Sequence, residues 1–134
     1  MTVSELMSAT VQTVRPGAPA ALVRERMRAR GFHHMAVMED GELLGVVSAR
    51  DLARVGRRGP SAPLRLVKEF MSTPVVTVEP GASVHRAANR MRGQAVGCLL
   101  VVDAGRVVGI VTMSDLLKRV AEPPRQRVDR SATR

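Results

Sequence analysis

Two short segments carry the side chains with the clearest chemical potential. Ser48 is followed three residues later by Asp51, and Thr112 is followed at the same spacing by Asp115. A hydroxyl that caps a helix places such a carboxylate on the first helical turn, where it can accept two hydrogen bonds from adjacent sugar hydroxyls. The hydroxyl and the nearby N–H groups, at the positive end of the helix dipole, also suit a phosphate. The same pair can simply cap a helix, so both interpretations stay open.

Basic and imidazole side chains stand near the first of these segments but not the second. Arg50 precedes Asp51 and could neutralise a phosphate or pair with an acid, whereas Ser114 holds the equivalent place before Asp115. The pair His33-His34 could contact phosphate with a pH-dependent affinity, or it could simply be exposed. A metal site is not expected, because adjacent histidines rarely point the same way and no third ligand is apparent.

The sequence favours a chain without catalytic function. It lacks a Walker loop, a dinucleotide glycine fingerprint and a His-Glu-x-x-His stretch. The single cysteine, Cys98, begins the apolar run 98–102, which is typical of a buried small hydrophobe in a reducing compartment. No cofactor is required by any of these features.

Composition indicates a soluble chain with an aliphatic core and excess positive charge. The 134 residues are 45% hydrophobic, include only two Phe and no Tyr or Trp, and carry a formal net charge of +9. The charge concentrates in residues 54–68 and 121–134, where no aromatic could stack on bases, so solvated basic segments are favoured over a nucleic-acid site. Without a targeting segment or an apolar run of ~20 residues, we expect a cytoplasmic location and no membrane contact.

An internal repeat organises the chain. A shift of 64 residues, the separation of Val3 from Val67, superimposes the sequence on itself without a gap. The matching pairs include Met7-Ser8 with Met71-Ser72, Pro16-Gly17-Ala18 with Pro80-Gly81-Ala82, Gly45 with Gly109, and Asp51-Leu52 with Asp115-Leu116. A gene duplication explains such a register.

Each repeat predicts the order strand, helix, strand, strand, helix. The alternating residues 11–14 predict a strand, and a helix is expected over about 19–30, with its counterpart starting after the N-cap Ser83. The apolar stripe of that second helix is Val84, Ala87, Ala88, Met91 and Ala95. Gly41 and Gly105 predict tight hairpin turns, and Ser48 and Thr112 predict the caps of short helices.

These elements predict an α+β fold made of two similar units. We assign residues 1–53 to the first unit, 54–66 to a linker, 67–120 to the second unit and 121–134 to a disordered basic tail. One unit is too small to bury its own sheet well. We therefore expect the two units to pack sheet to sheet with pseudo-two-fold symmetry.

The repeat resembles the cystathionine-β-synthase (CBS) domain pair, also called a Bateman module, over about residues 3–120. The resemblance rests on Met7-Ser8 and Met71-Ser72-Thr73-Pro74, and on a signature of the form Gly-hydrophobic-x-Ser/Thr-x-x-Asp. That signature occurs twice, as Gly45 to Asp51 and as Gly109 to Asp115.

The resemblance implies a set of binding residues. Asp51 and Asp115 would hold a ribose, and the phosphate would lie near Ser48, Thr112, Arg50 and His33. The adenine pocket beside Asp51 would comprise Thr73, Pro74, Val75, Val96 and Gly97, and the pocket beside Asp115 would comprise Thr10, Val11, Phe32 and His33. Plain core packing is the alternative for Val11, Val75 and Val96.

The resemblance also implies a function. The chain would be a regulatory module that senses AMP, ADP, ATP or S-adenosylmethionine in the clefts between its units, forms a flat homodimer and signals to an unknown effector protein. One alternative is a dimeric interaction scaffold with vestigial clefts. Another is nucleic-acid binding through the Arg-rich surface, which predicts a steep loss of affinity with salt.

Overall fold

A computed structural model describes residues 1–55 and 63–121, and these form two halves of matching architecture. In chain order, the first repeat contains α1 (Val3–Leu6), β1 (Thr13–Val14), α2 (Ala20–Arg30), β2 (His34–Glu39), β3 (Glu42–Ser48) and α3 (Ala49–Leu52). The second contains β4 (Thr77–Val78), α4 (Val84–Gln94), β5 (Cys98–Asp103), β6 (Arg106–Thr112) and α5 (Met113–Ala121). Single turns of 3-10 helix span Ala53–Val55 and Val67–Glu69. The predicted α+β order, strand-helix-strand-strand-helix twice, is confirmed.

The helices begin and end where local chemistry requires it. The Ser83 hydroxyl accepts a hydrogen bond from the Arg86 N–H at 3.0 Å, so the predicted N-cap of α4 is confirmed. Helix α2 starts after Pro19 and ends at Gly31, whose φ of 76° is left-handed. Ala95 was expected to extend the apolar stripe of α4. Instead it is exposed and forms the left-handed C-cap, with φ 55°, so the stripe ends one turn earlier.

Each half forms a three-stranded sheet. In the first, β1 runs parallel to β2 and β2 runs antiparallel to β3; in the second, β4, β5 and β6 repeat this arrangement. The hairpins close on Asp40-Gly41 and Ala104-Gly105, where both residues of each turn have positive φ. Two positive φ values in succession are the geometry of a type I′ turn, whose twist matches that of the strands.

The two sheets pack against each other through an aliphatic layer. Buried residues of this layer are Ala36, Cys98, Leu100 and Ile110, with partly buried Val11, Met38, Leu43, Val46, Val75 and Val107 around them. Each sheet also packs against its own helices through one further hydrophobic cluster. Sheet-to-sheet packing was predicted from the repeat and is confirmed. Cys98 belongs to this layer and is only 7% exposed, as expected for a small hydrophobe.

The segments that precede the first strand of each repeat are exchanged between the halves. Ser8 exchanges two backbone hydrogen bonds of 2.9 Å with Ile110 of the second sheet, and Ser72 is bridged in the same way to Val46 of the first sheet. Val3 is buried in the core of the second half, whereas Val67 and Phe70 are buried in the core of the first. The packing halves therefore differ from the repeats 1–53 and 67–120 read along the chain.

This exchange shortens the first strand. A strand over 11–14 was expected, but β1 contains only Thr13–Val14. The chain is hydrogen-bonded to the second sheet at Ser8 and must cross to the first sheet before it can pair with β2. Residues 9–11 make that crossing, and Val11 contributes its side chain to the layer between the sheets. The Gln12 carbonyl already accepts from the Ala36 N–H of β2 at 2.9 Å.

Close contact at the exchange requires two glycines. A Cβ on Gly45 would lie 2.7 Å from the Met71 sulfur and 3.0 Å from the Ser72 carbonyl oxygen. A Cβ on Gly109 would lie 2.9 Å from the Ser8 carbonyl oxygen and would also collide with Met7. The Met-Ser pair of each repeat therefore packs against the signature glycine of the other repeat.

Two parts of the sequence-based division lie outside the described residues. These are most of the predicted linker, residues 56–62, and the predicted disordered tail from residue 122 onward. Among the residues that the structure describes, no helix is both long enough and apolar enough to cross a bilayer.

Candidate functional site

A cavity of about 470 Å³ lies between the two halves. The first half contributes His33, His34, Val46, Ser48, Ala49, Arg50 and Asp51 to its lining, and the chain from residue 72 onward contributes Ser72, Pro74, Val75, Val76, Ala95, Val96, Gly97, Cys98, Met113 and Ser114. Ionisable and strongly hydrogen-bonding groups thus come mainly from the first half, and mostly small or apolar side chains come from the second. The cavity combines a polar rim with an apolar wall, as small-molecule sites commonly do.

Ser48 and Asp51 form a reciprocal cap at the start of α3. The Ser48 hydroxyl accepts from the Asp51 N–H at 3.0 Å, and Asp51 Oδ2 accepts from the Ser48 N–H at 2.9 Å. Ser48 and Asp51 therefore do cap the helix, but the cap uses only one of the two carboxylate oxygens of Asp51. Within residues 1–55 and 63–121, Oδ1 of Asp51 has no hydrogen-bond donor, and Asp51 lines the cavity.

The helix dipole was expected to help hold phosphate here. Helix α3 has only four residues, so few aligned peptide dipoles act at its start. Any contribution to anion binding at this rim must therefore come mainly from side chains and individual N–H groups.

His33, His34 and Arg50 lie on the same rim as Asp51. His33 was expected to serve the cleft of Asp115, but it lines the cavity that contains Asp51. The reason is a hydrogen bond of 2.8 Å from the Ala49 N–H to the His33 carbonyl, which joins the start of β2 to the start of α3. His33 and Arg50 are exposed, whereas His34 is half-buried.

Burial and the charge of His33 lower the pKa of His34 from its ordinary value of 6.5, while the carboxylates of Asp51 and Asp115 act in the opposite direction. His34 is therefore neutral at pH 7 and becomes protonated only under more acidic conditions. Its ring lies beside Gly97, because a Cβ on that glycine would be 3.6 Å from His34 Nε2.

Four of the five residues predicted for the adenine pocket beside Asp51 line this cavity: Pro74, Val75, Val96 and Gly97. Thr73 is exposed and does not belong to the lining. The sequence-based site omitted several lining residues, among them Val46, Ser72 and Met113. Ser72 and Met113 adjoin the named residues Thr73 and Thr112, and Val46 lies inside the signature from Gly45 to Asp51, so position in the sequence could have indicated all three.

The second predicted clamp has the same cap but does not line this cavity. Asp115 Oδ2 accepts from the Thr112 N–H at 2.8 Å, and the Thr112 hydroxyl accepts from the Asp115 N–H at 3.2 Å. Of the other residues predicted around Asp115, Phe32 packs against the core of the first half and Thr10 is exposed. Val11 borders a different, open groove near the hairpin turns. A binding role for these residues stays a prediction.

The described residues offer no evident metal centre. No group of three or more His, Cys, Asp or Glu side chains comes together in a ligand-like cluster within them. This leaves the carboxylate, the imidazoles and the guanidinium of the rim as the groups with which the cavity can bind a ligand.

Known proteins from several organisms are similar to this chain over most of its length. A CBS domain-containing protein of Dictyostelium discoideum is 35% identical over 137 aligned positions, covering 90% of this chain and 94% of that protein. Protein MK0525 of Methanopyrus kandleri is 31% identical over 88% of this chain, which spans 62% of that protein. An inosine-5'-monophosphate dehydrogenase of Thermoplasma acidophilum is 29% identical over 87% of this chain, which spans only 23% of the enzyme.

Solved structures agree with the sequence relatives. The CBS domain structure NE2398 is 26% identical with a TM-score of 0.80, and the match covers 91% of this chain and 98% of that one. The CBS domain pair of protein MJ0100, solved with 5'-methylthioadenosine and S-adenosyl-L-methionine, has a TM-score of 0.78 at 22% identity, with coverage of 90% and 95%. The cytosolic domain of the Mg²⁺ channel MgtE, solved with ATP, is 31% identical with a TM-score of 0.69, covering 88% of this chain and 48% of that one.

The family model of the CBS domain matches twice, at residues 3–58 and 67–122, and so accounts for nearly the whole chain. Together with two capped Ser/Thr-x-x-Asp segments and two sheets packed face to face, this match identifies the chain as a member of the CBS domain family with two CBS repeats.

Proposed function

We propose that this chain is a regulatory module that binds an adenosine-containing nucleotide between its two halves and carries out no reaction itself. The observation that carries the proposal is the cavity of about 470 Å³, where Asp51 faces an apolar wall built by the other repeat. AMP, ADP, ATP and S-adenosylmethionine are the candidate ligands.

The rim and the wall divide the recognition between them. Oδ1 of Asp51 would accept hydrogen bonds from the ribose hydroxyls, since Oδ2 is already used by the cap. The adenine would lie in the apolar part formed by Pro74, Val75, Val96 and Gly97, where burial of a flat apolar surface is favourable. The phosphate would extend toward Ser48, Arg50 and His33 on the rim.

Ligands in related structures support this class of compound. The MgtE cytosolic domain holds ATP, and the MJ0100 domain pair holds 5'-methylthioadenosine and S-adenosyl-L-methionine. These ligands differ in the group attached to the adenosine and share the adenosine itself. A site that combines a ribose-binding carboxylate with an apolar adenine slot is consistent with that shared part.

Two observations support a role without catalysis. Burial, with a smaller effect of Asp51, raises the pKa of the Cys98 thiol to about 12, so the thiol is a poor nucleophile at neutral pH. In the inosine-5'-monophosphate dehydrogenase relative, the matching segment is only 23% of the protein. The regulatory output would then pass through a separate effector protein, and the chain would act in the cytoplasm.

A homodimer is the oligomeric state that we propose. Helix α5 has no buried residue within one chain, and Met113, Leu117 and Val120 are 48%, 61% and 81% exposed. Burial of this apolar face against a second copy would remove it from water.

A thermal unfolding screen tests the nucleotide proposal. A ligand present at about 100 times its dissociation constant stabilises the folded state by about 2.7 kcal/mol, which is readily visible as a higher melting temperature. We expect such a shift with at least one of the four candidate ligands, and we expect Asp51→Asn to reduce it strongly. Asp103→Asn, which changes an exposed carboxylate at the end of β5, is the matched control and should keep the shift.

The absence of any shift, confirmed by calorimetry, would contradict the proposal and favour the scaffold alternative. Nucleic-acid binding has less support, because part of the basic segment is engaged internally. Arg65 pairs with Glu69 at 2.8 Å, and Arg54 and Arg65 both lie over the Phe70 ring. That alternative requires an affinity for nucleic acid that falls steeply with salt and does not depend on Asp51.

A further inference from the structure

We infer, on the basis of the proposed function, that each chain binds a single nucleotide on the Asp51 side of the cavity and that Arg50 makes this site selective for a 5'-phosphate. The inference rests on differences between the two repeats at positions that line one cavity. It assigns a stoichiometry, a ligand class and a specificity-determining residue.

The first difference is in charge. Four pairs of repeat-equivalent positions line the cavity, and in three of them only the first repeat supplies a group that can be cationic: His33 against Gly97, His34 against Cys98, and Arg50 against Ser114. The fourth pair, Ala49 and Met113, is uncharged in both repeats. Of the three groups that can be cationic, Arg50 carries a guanidinium, whose fork of N–H donors matches the oxygens of a phosphate. An anionic group is therefore favoured on the first-repeat rim and gains nothing comparable from the second.

The second difference is in the apolar wall. The adenine wall opposite Asp51 contains Val96 and Gly97, whereas the equivalent positions for a cleft at Asp115 are Phe32 and His33. Phe32 packs against the core of the first half, and His33 lines the same cavity as Asp51. The pair equivalent to Val96 and Gly97 therefore supplies no matching apolar wall for Asp115.

The third observation is where the two carboxylates lie. Both aspartates form the same cap through Oδ2, so they are matched in local structure. Only Asp51 belongs to the lining of the cavity that also contains Pro74, Val75, Val96 and Gly97. The halves therefore share one ribose clamp geometry, but only one of the two is combined with an apolar wall in this cavity.

AMP and 5'-methylthioadenosine provide a matched pair of probes, because they share adenosine and differ only in the 5' group. In isothermal titration calorimetry of the full chain, we expect AMP to bind with one equivalent per chain and at least tenfold more tightly than 5'-methylthioadenosine. Arg50→Ser, which gives the first repeat the residue of the second, should weaken AMP at least tenfold and change 5'-methylthioadenosine less than about twofold.

The aspartate variants test which side is used. Asp51→Asn should weaken AMP at least tenfold and Asp115→Asn less than about twofold, and both asparagines can still accept the N–H hydrogen bond of the cap. Melting temperatures of the two variants without ligand show whether both remain folded. If Asp51→Asn does not remain folded, Asp51→Ser replaces it in the same titration.

The outcomes separate the two levels of the proposal. Two equivalents per chain, an equal loss in both aspartate variants, or 5'-methylthioadenosine binding as tightly as AMP would overturn the single phosphate-selective site while leaving nucleotide sensing intact. If AMP, 5'-methylthioadenosine, ATP and S-adenosylmethionine all fail to bind, the nucleotide-sensing proposal is overturned as well.

Discussion

Gly45 and Gly109 are the points at which an exchanged segment crosses a strand in direct contact. A Cβ added at either position would lie within 3.0 Å of a backbone carbonyl oxygen. A backbone atom cannot move aside as a flexible side chain can. In the sequence these glycines are simply part of a recurring signature. The structure gives them a steric role that is independent of any ligand.

Substitution of Gly109 by alanine should therefore destabilise the fold. We expect Gly109→Ala to lower the free energy of unfolding by about 1–3 kcal/mol, because the added methyl overlaps the Ser8 carbonyl region. Urea denaturation followed by circular dichroism measures the change. Gly81→Ala is the control, since no atom lies within 4 Å of the position that its Cβ would take, and its stability should be unchanged or slightly higher. Equal effects of the two substitutions would contradict the steric explanation.

The buried thiol of Cys98 should make the free energy of unfolding depend on pH above about pH 9. Its pKa is raised from an ordinary 9.0 to about 12 because the thiol is buried. Below pH 9 the thiol is protonated in both states, whereas above pH 9 the unfolded chain ionises first and is thereby stabilised. The loss should reach about 2 kcal/mol at pH 10.5, at about 1.36 kcal/mol per pH unit.

Denaturation of the chain and of Cys98→Ala between pH 8 and 10.5 measures this contribution. The alanine variant should lose less stability over that interval, whatever its stability at pH 8. Parallel curves for the two proteins would show that the thiol is already accessible to ionisation in the folded state.

At the level of elements, the exchanged segments interlock the two halves. Helix α1 begins the first repeat but packs on the second half, where Val3 is fully buried. The 3-10 turn Val67–Glu69 begins the second repeat but packs on the first half through Val67 and Phe70. Neither half can complete its core without the other's leading segment.

Truncation of Val3 tests this coupling. We expect Val3→Ala to destabilise the whole chain by about 1–3 kcal/mol, because the smaller side chain leaves a void in the core. The protein should keep a single unfolding transition, since both repeats contribute to that core. Leu22→Ala, at a side chain that is 67% exposed on α2, should change stability by no more than about 0.5 kcal/mol. Two separate transitions in either protein would show that the halves unfold independently.

At the level of the whole molecule, the two halves differ in what they leave exposed. The α5 helix that follows the second signature is nine residues long, whereas the equivalent α3 has four. Its exposed face, formed by Met113, Leu117 and Val120, is not covered within the described part of the chain. Met113 also lines the cavity, so a partner seated on this face would lie close to the ligand site.

Disruption of this face should dissociate the proposed homodimer. We expect Leu117→Glu to shift the chain from dimer to monomer in analytical ultracentrifugation, because a carboxylate would have to be buried in the interface. Lys118→Gln changes the net charge by the same amount on the same helix and should leave the dimer intact. A monomer in the unsubstituted chain at micromolar concentration would contradict the proposal.

Much of the fold follows from residues that are close together in the sequence. The Ser83 cap of α4, the positive-φ turns at Gly41 and Gly105, and the reciprocal caps at Ser48 and Thr112 depend on partners within a few positions. Each can therefore be predicted directly from spacing and residue type. Sheet-to-sheet packing was also predictable, since a repeat with one apolar sheet face must cover that face with its copy.

Only the tertiary structure decided which residues share the cavity. It exchanged residues 2–8 and 66–72 between the halves, placed His33 on the rim with Asp51, and left Asp115 outside the cavity lining that contains Pro74 and Val96. These outcomes depend on contacts between segments tens of residues apart, where many packings satisfy the same local pattern. The repeat makes the two clefts equivalent in the sequence, and the placement of these side chains in the tertiary structure makes them different in space.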